Sequence, residues 1–444
     1  MAEGNDYVYW LRNTTPYINA YRGRTFVLVL NGEALAHTNF STIVYDIALL
    51  SSLGVRLVLV YGLNPQIDNE LERHGIVSIF HRHIRVTDER TLSCIKNQIG
   101  RAQTMMQAAF SAGIAPSPLR NSRLRLWTGN VITAKPIGIL DGVDMQLAGE
   151  VRKIDLPALT EALSLQHIVA LPNIGFSPTG EVFDLGVEEV ATAVAIALKA
   201  DKIVLSGRGQ GIYDEKGNLR TEILTGEAGK IIEQQLAACN PARPLPEDVA
   251  RLRAAWLACE GGVKRAHLVS YEQDGSLLRE IFTRDGTGTM VVRDSYEQTR
   301  KAGIDDVGGI LSIIAPLEES GILVRRSREL IEREISFFSV IDLDGTTIGC
   351  AALYPYPAEK KGELACLAVH EQYREQERGA RLLRAIEKQA GELGLEYIFV
   401  CTTRSLHWFK ERGFCEVPLS FLPPEKQKLY NLKRNSVVLT KEIG

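Results

Sequence analysis

The chain has 444 residues, more than a single hydrophobic core usually organises, so two or three domains are expected. Hydrophobic residues make up 45% and charged residues 24%, and the net charge of −3 gives no electrostatic footprint for nucleic acid or an anionic membrane. No apolar run reaches the roughly 18 residues needed to cross a bilayer, and Met1–Asp6 carries neither the basic nor the apolar part of a secretory signal.

In chain order, Trp10–Tyr21 reads as a short amphipathic helix carrying Tyr17 and Tyr21. Thr25–Leu30 is a continuous β-rich run of the kind buried on both faces of a parallel sheet. A helix over Ile43–Leu53, stopped by Gly54, leads into a second buried strand, Arg56–Tyr61. The rhythm repeats with Ile168–Leu171, the Ala-rich helix Glu188–Ala200 and Lys202–Ser206. Such alternation specifies an α/β sandwich around a mainly parallel sheet. His267–Ser270 and Leu277–Phe282 close that domain, and the Gly- and Thr-rich run Thr283–Val292 marks its boundary.

Beyond it the grammar changes. Helices at Asp305–Glu319 and Ser327–Ile335 precede strands Phe338–Leu343 and Thr346–Leu353, joined by the hairpin signal Asp344-Gly345. Gly362–Val369, a helix over Gly379–Leu393, a strand Tyr397–Thr402, a helix near Trp408–Arg412 and strands near 414–417 and 436–440 follow. This is mixed, largely antiparallel α+β. The expected organisation is residues 1–285, a linker 286–296, and 297–444. The seven cysteines are scattered and form no CxxC pair, which reads as reduced thiols in a cytoplasmic protein with no metal site.

The segment Gly362–Leu383 has an apolar strand, Tyr373-Arg374, a short turn and Gly379-Ala380 opening a helix. On spacing alone this is also an ordinary strand–turn–helix. With Trp408-Phe409-Lys410-Glu411-Arg412-Gly413-Phe414 following in the right order, it resembles the GNAT acetyltransferases. Their acyl-CoA motif is Arg/Gln-x-x-Gly-x-Gly/Ala; Glu377 stands where its first glycine belongs. The resemblance implies acetyl-CoA as cosubstrate, with no permanently bound cofactor. Its pyrophosphate would lie on the helix N-terminus at Gly379 and Ala380, assisted by Arg374, Arg378 and Arg381. Its pantetheine would pair along the strand at Leu367 and Val369. Glu363 would accept the amine proton, and the Leu367 N–H would hold the oxyanion. The family's general-acid tyrosine position is filled by Phe409.

Gly321–Arg328 and Tyr430–Ser436 resemble the substrate-binding elements of N-acetylglutamate synthases. This implies L-glutamate as acceptor, held by Arg326, Arg434, Ser436, the backbone at Cys366, and Arg404. Over roughly 20–290 the chain resembles the amino-acid-kinase fold, N-acetylglutamate kinase above all, through 30–35, 60–68 and 203–217. The kinases' Lys-x-Gly-Gly is here Val29-Leu30-Asn31-Gly32, and Gly62-Leu63-Asn64-Pro65 keeps one glycine of the second turn. Without that lysine, phosphoryl transfer is not expected. Feedback-controlled members bind L-arginine in this domain, which implies an effector site at Tyr21, His267, Glu280, Gly286 and Gly288. Glu280 would accept the guanidinium. The same resemblance implies a homo-oligomer, a hexamer in the look-alike family, with no nucleic-acid or membrane partner.

Overall fold

The computed structural model describes residues 14–111, 124–283, 286–293, 297–343, 345–374, 377–428, 430 and 436–443. It divides into two compact units, Met1–Asp294 and Ser295–Gly444.

The first unit is built on an eight-stranded sheet. From one edge the order is Glu222–Leu224, Thr289–Val292, Arg265–Ser270, Lys202–Gly207, Thr25–Leu30, Arg56–Tyr61, Ile168–Pro172, Leu126–Trp127. All pairings are parallel except that of Arg265–Ser270 with Thr289–Val292. Every residue of Thr25–Leu30 is buried because helices cover both faces. Successive residues enter opposite cores: Val27 and Val29 join one cluster, and Phe26, Leu28 and Leu30 the other. A separate four-stranded sheet comprises Val182–Asp184, Ile174–Phe176, Ile132–Pro136 and Gly149–Ile154.

One difference from the sequence-based picture has a clear cause. Thr289–Val292, placed in the linker, is a strand of the main sheet, since its apolar residues pair against Ala266–Leu268. Leu277–Phe282 belongs to a helix, Ser276–Phe282. The described part of the N-terminal helix, 14–21, packs Tyr21 on Phe26 and Phe282; positions 10–13 lie outside the described residues.

The second unit carries a seven-stranded sheet ordered Glu297–Lys301, Phe338–Leu343, Thr346–Tyr356, Lys361–Val369, Tyr397–Thr402, Val437–Glu442, Cys415–Glu416. Its neighbours are antiparallel apart from Lys361–Val369 with Tyr397–Thr402. That parallel pair is joined only at Lys361↔Tyr397, Gly362↔Ile398 and Glu363↔Phe399. Past Glu363 the two strands part, and the helix Arg378–Glu392 packs Leu382, Leu383 and Ile386 beneath them. No helix among the described residues is long and apolar enough to cross a membrane.

Candidate active site

The parting of the two strands leaves one edge of Leu364–Val369 without a strand partner among the described residues. Such an edge presents main-chain donors and acceptors to an extended ligand. Opposite, between Ala365 and Ala368, the register with Thr346–Tyr356 slips by one residue, and Cys366 takes a left-handed φ of 51°. This bulge changes the parity of the strand. In a regular strand, Glu363 and Cys366, three apart, would face opposite sides. Here Ala365, Cys366 and Ala368 all join the core under the helix Val307–Glu319, while Leu364, Leu367 and Val369 face the Arg378–Glu392 side. Glu363 and Cys366 therefore share a face.

Arg326 meets them there. Its main-chain N–H donates to Glu318 Oε1 at 3.0 Å, anchoring the loop. Its guanidinium faces Cys366, Tyr354 and Glu363; burial works against its charge, but these neighbours raise its affinity for the proton. Glu363, 8% exposed, pairs with Lys426 Nζ at 2.5 Å and hydrogen-bonds the Tyr356 hydroxyl. Burial, then Glu363, pushes the Tyr356 hydroxyl up to about 12. Tyr354 lies directly across the strands from Glu363 and donates to Glu334 Oε2 at 2.8 Å. Burial pushes the Cys366 thiol up to about 11, so it stays protonated and is a poor nucleophile.

At the helix start the sequence-predicted residues have divided roles. Glu377 occupies the departed glycine position with a left-handed φ of 55°, the conformation that favours glycine there. A Cβ on Gly379 would stand 3.2 Å from Trp408 Cζ2, so this glycine admits the indole of the second signature. The Ala380 amide donates to Glu377 O at 2.9 Å, whereas the first amides of a helix have no intrahelical partner. Arg374 is exposed.

Arg378 and Arg381 do not meet the expectation that their side chains face the ligand. Arg378 Nε donates to Glu297 Oε2 at 2.8 Å and Arg381 Nη1 to Glu297 Oε1 at 2.7 Å, a buried clamp on the sheet's first strand. Arg404 is exposed after Tyr397–Thr402, and no hydrogen bond or ion pair joins it to the Glu363 cluster among the described residues. Arg434 lies outside the described residues. The Ser436 carbonyl accepts from Tyr430 Oη at 2.6 Å. Tyr354, Tyr356 and Lys426 were missed; Tyr354-x-Tyr356 two apart on a strand end was the available signal.

In the first unit, Tyr21, His267, Glu280, Gly286 and Gly288 do come together. His267 Nδ1 lies 2.7 Å from Glu280 Oε1, and its Nε2 lies 3.0 Å from Lys202 Nζ. The Lys202 ammonium sits 5.1 Å from the Tyr21 ring centroid. Burial, then Lys202, pushes His267 down to about 4, so it is neutral, with Nε2 accepting from Lys202 and Nδ1–H donating to Glu280. Burial pushes the Glu280 carboxyl up, but His267 and the Thr287 and Gly288 amides outweigh it and bring it to about 2. Glu280 is thus not the open carboxylate expected for a bidentate guanidinium. Its Oε2 already accepts from Thr287 N at 2.6 Å and Gly288 N at 2.8 Å. Gly286 has φ 60°, and a Cβ there would approach Glu280 Oε2 to 2.6 Å, so the turn is moulded to the carboxylate. Lys202 was the missed member, a lysine opening an otherwise apolar buried strand.

The kinase-like turns are filled from within. Asn31 Oδ1 caps Ala34 N at 2.9 Å, and its amide donates to Glu247 Oε1. Arg208 N donates to the other Glu247 oxygen at 3.0 Å. Gln66 Nε2 donates to Gly32 O at 2.6 Å.

A strand parted from its parallel neighbour, bulged beside it and backed by a helix is the framework of the GNAT acetyltransferases, here preceded by an amino-acid-kinase-like unit. Comparison agrees: residues 24–240 match the amino acid kinase family and 311–414 the acetyltransferase (GNAT) family. The chain is 49% identical over 438 residues to an amino-acid acetyltransferase of Pseudomonas syringae pv. syringae, covering 99% of this chain and 100% of that one. It is 48% identical over 438 residues to one of Pseudomonas aeruginosa, with the same coverage. The crystal structure of N-acetylglutamate synthase from Neisseria gonorrhoeae complexed with coenzyme A and L-arginine superposes with a TM-score of 0.89 at 35% identity, covering 98% of this chain and 99% of that one. The same enzyme complexed with coenzyme A and N-acetyl-glutamate gives 0.62 at 36% identity and the same coverage. The chain belongs to the amino-acid acetyltransferase family, the N-acetylglutamate synthases, enzymes that acetylate an amino-acid nitrogen.

Proposed function

We propose that this enzyme acetylates the α-amine of L-glutamate by direct attack on acetyl-CoA, the first step of arginine synthesis. The observation that carries the reading is the bulge at Cys366, which sets Glu363, Cys366 and Arg326 on one face beside the parted strand. The neutral amine attacks the thioester carbon, and the oxyanion is held by the Leu367 N–H. Glu363 takes the amine proton, the carbon–sulfur bond breaks, and CoA leaves as the thiolate, which takes up a proton from solvent. With a thiol pKa near ~8.5, that leaving group needs little help, which suits a site with Phe409 at the acid position. The protonated Cys366 argues against an acetyl-cysteine intermediate.

Arg326 binds a glutamate carboxylate, joined by Arg434 and Ser436, with Arg404 a lesser contributor. The CoA pyrophosphate lies on the helix start at Gly379 and Ala380 with Arg374, and the pantetheine along Leu367 and Val369. Catalysis resides in 297–444 and regulation in the first unit, where L-arginine binds at Tyr21, His267, Glu280, Gly286 and Gly288. In place of a bidentate carboxylate, Glu280 and His267 shape the receiving turn. The Neisseria structures bound to coenzyme A with L-arginine or N-acetyl-glutamate support this reading of the ligands. The protein acts in the cytoplasm as a homo-oligomer, a hexamer by resemblance, which sedimentation would test. Radiolabelled acetyl-CoA offered glutamate, ornithine, a lysine peptide or no acceptor tests the activity. Label on glutamate alone is expected, and equal transfer to ornithine or peptide would overturn it.

A further inference from the structure

In the first unit a small cavity lies between the C-terminal ends of Thr25–Leu30, Lys202–Gly207 and Arg265–Ser270, the helix Phe40–Ser52, and the start of Ser276–Phe282. Its anomaly is Asp46. This carboxylate is 7% exposed, lines the cavity, and has no hydrogen bond or ion pair among the described residues. A buried carboxylate without a donor is costly, and proteins keep such groups where a partner arrives from outside.

The wall sharpens the chemistry. The hydroxyls of Ser206, Ser270 and Ser276 each donate to a main-chain carbonyl, as does the Asn39 amide, to Tyr271 O and Glu272 O. The Ser270 oxygen also accepts from Glu272 N at 3.2 Å, and the oxygens of Ser206 and Ser276 are left to accept. No lysine, arginine or histidine lines the space, while a second carboxylate, Asp274, does. A largely apolar cavity that holds two acids, and whose lining residues include no cation, favours a small ligand that is positively charged and donates hydrogens to Asp46.

Size narrows it further. The space open to the centres of water-sized groups is about 30 Å³, and one water needs roughly 10–15 Å³ on that measure. A whole amino acid does not fit; a group the size of ammonium does. We propose that this cavity is a binding site for a small ammonium group, either the inorganic ion or the terminal –NH₃⁺ of an alkyl amine, with Asp46 as its anionic floor. The site is separate from the Lys202–His267–Glu280 cluster and does not depend on the acetyl-transfer reading.

Burial, then Asp274, pushes Asp46 up to about 7, so the test is run at pH 8, where the carboxylate is ionised. The thermal unfolding of the full chain is followed at constant ionic strength in ammonium, methylammonium, 1,4-diaminobutane, potassium and tetramethylammonium chlorides. Ammonium at ten times its dissociation constant should raise Tm by roughly 2–5 °C over tetramethylammonium, which is too large and donates nothing. Asp46→Asn, which removes an unpaired buried charge at constant shape, should fold, start at or above the wild-type Tm, and lose the response. If it fails to fold, Asp274→Asn serves, with the response reduced at least threefold. Methylammonium or the diamine acting at lower concentration than ammonium would assign an alkyl amine; ammonium acting alone would assign the inorganic ion. Equal Tm in ammonium and tetramethylammonium would overturn the proposal. So would an equal response to potassium, or an undiminished response in Asp46→Asn.

Discussion

Lys426 Nζ lies 2.5 Å from Glu363 Oε1, so the proposed base is held by a cation from the short helix Pro424–Lys428. The pairing compensates a carboxylate whose side chain is 10% exposed and fixes its direction at the strand end. Lys426→Met should lower kcat roughly tenfold to a hundredfold, the scale of misplacing a catalytic group by an ångström, while the acetyl-CoA KM stays within about twofold. Lys426→Arg should recover part of the loss. Steady-state kinetics on both variants check this, and an unchanged kcat would remove Lys426 from the positioning role.

Arg326→Ala should act on glutamate far more than on acetyl-CoA. Loss of a charge-assisted contact is worth about 1.5–3 kcal/mol, or roughly tenfold to a hundredfold in the glutamate KM. Equal effects on both substrates would indicate damage to the loop that Glu318 anchors.

The buried His267 gives a pH signature. Its folded pKa, near 4, lies below the ordinary 6.5, so between those values the unfolded chain binds more protons. Stability from this group is complete above pH 6.5 and is lost as pH falls through 4, by at most about 1.4 kcal/mol per pH unit. Asp46, raised to about 7, works in the opposite sense, so the readout is a difference. The Tm deficit of His267→Gln relative to wild type should be large at pH 7.5 and shrink toward pH 4.5. A deficit constant with pH would contradict a neutral, buried His267.

The kinase-like turns should not bind nucleotide. Asn31 and the Arg208 amide hold Glu247, and Gln66 reaches Gly32, where a Cβ would meet its oxygen at 2.2 Å. A carboxylate already held there repels a phosphate. Titration calorimetry with Mg-ATP should register no heat, and micromolar binding with ADP formation would restore a kinase role.

What the sequence made legible follows from local physics. Thr25–Leu30, Arg56–Tyr61 and Lys202–Ser206 announced buried parallel strands by composition, and Asp344-Gly345 announced the hairpin between strands the structure bounds at Leu343 and Thr346. Arg326, Glu363 and Cys366 were named together by resemblance, but the bulge that unites them was not visible. One extra residue changes strand parity without changing composition. The partners of Arg378 and Arg381 were hidden for another reason, since Glu297 stands 81 and 84 positions away. Lys426 and Lys202 depend equally on tertiary approach. Thr289–Val292 looked like a linker because its Gly- and Thr-rich lead-in masks a short strand that only its neighbour stabilises.

The central claim is that arginine, bound in the kinase-like unit, governs acetylation in the other. Initial rates of acetyl-glutamate formation against L-arginine, for wild type and Glu280→Gln, test it most directly. A coupling of about 1–3 kcal/mol predicts that saturating arginine lowers the wild-type rate roughly five- to 150-fold. Glu280→Gln, which weakens the grip on His267 and on the Thr287 and Gly288 amides, should need at least tenfold more arginine for half-inhibition. A wild-type rate indifferent to millimolar arginine would contradict the account, and full sensitivity in Glu280→Gln would contradict its site.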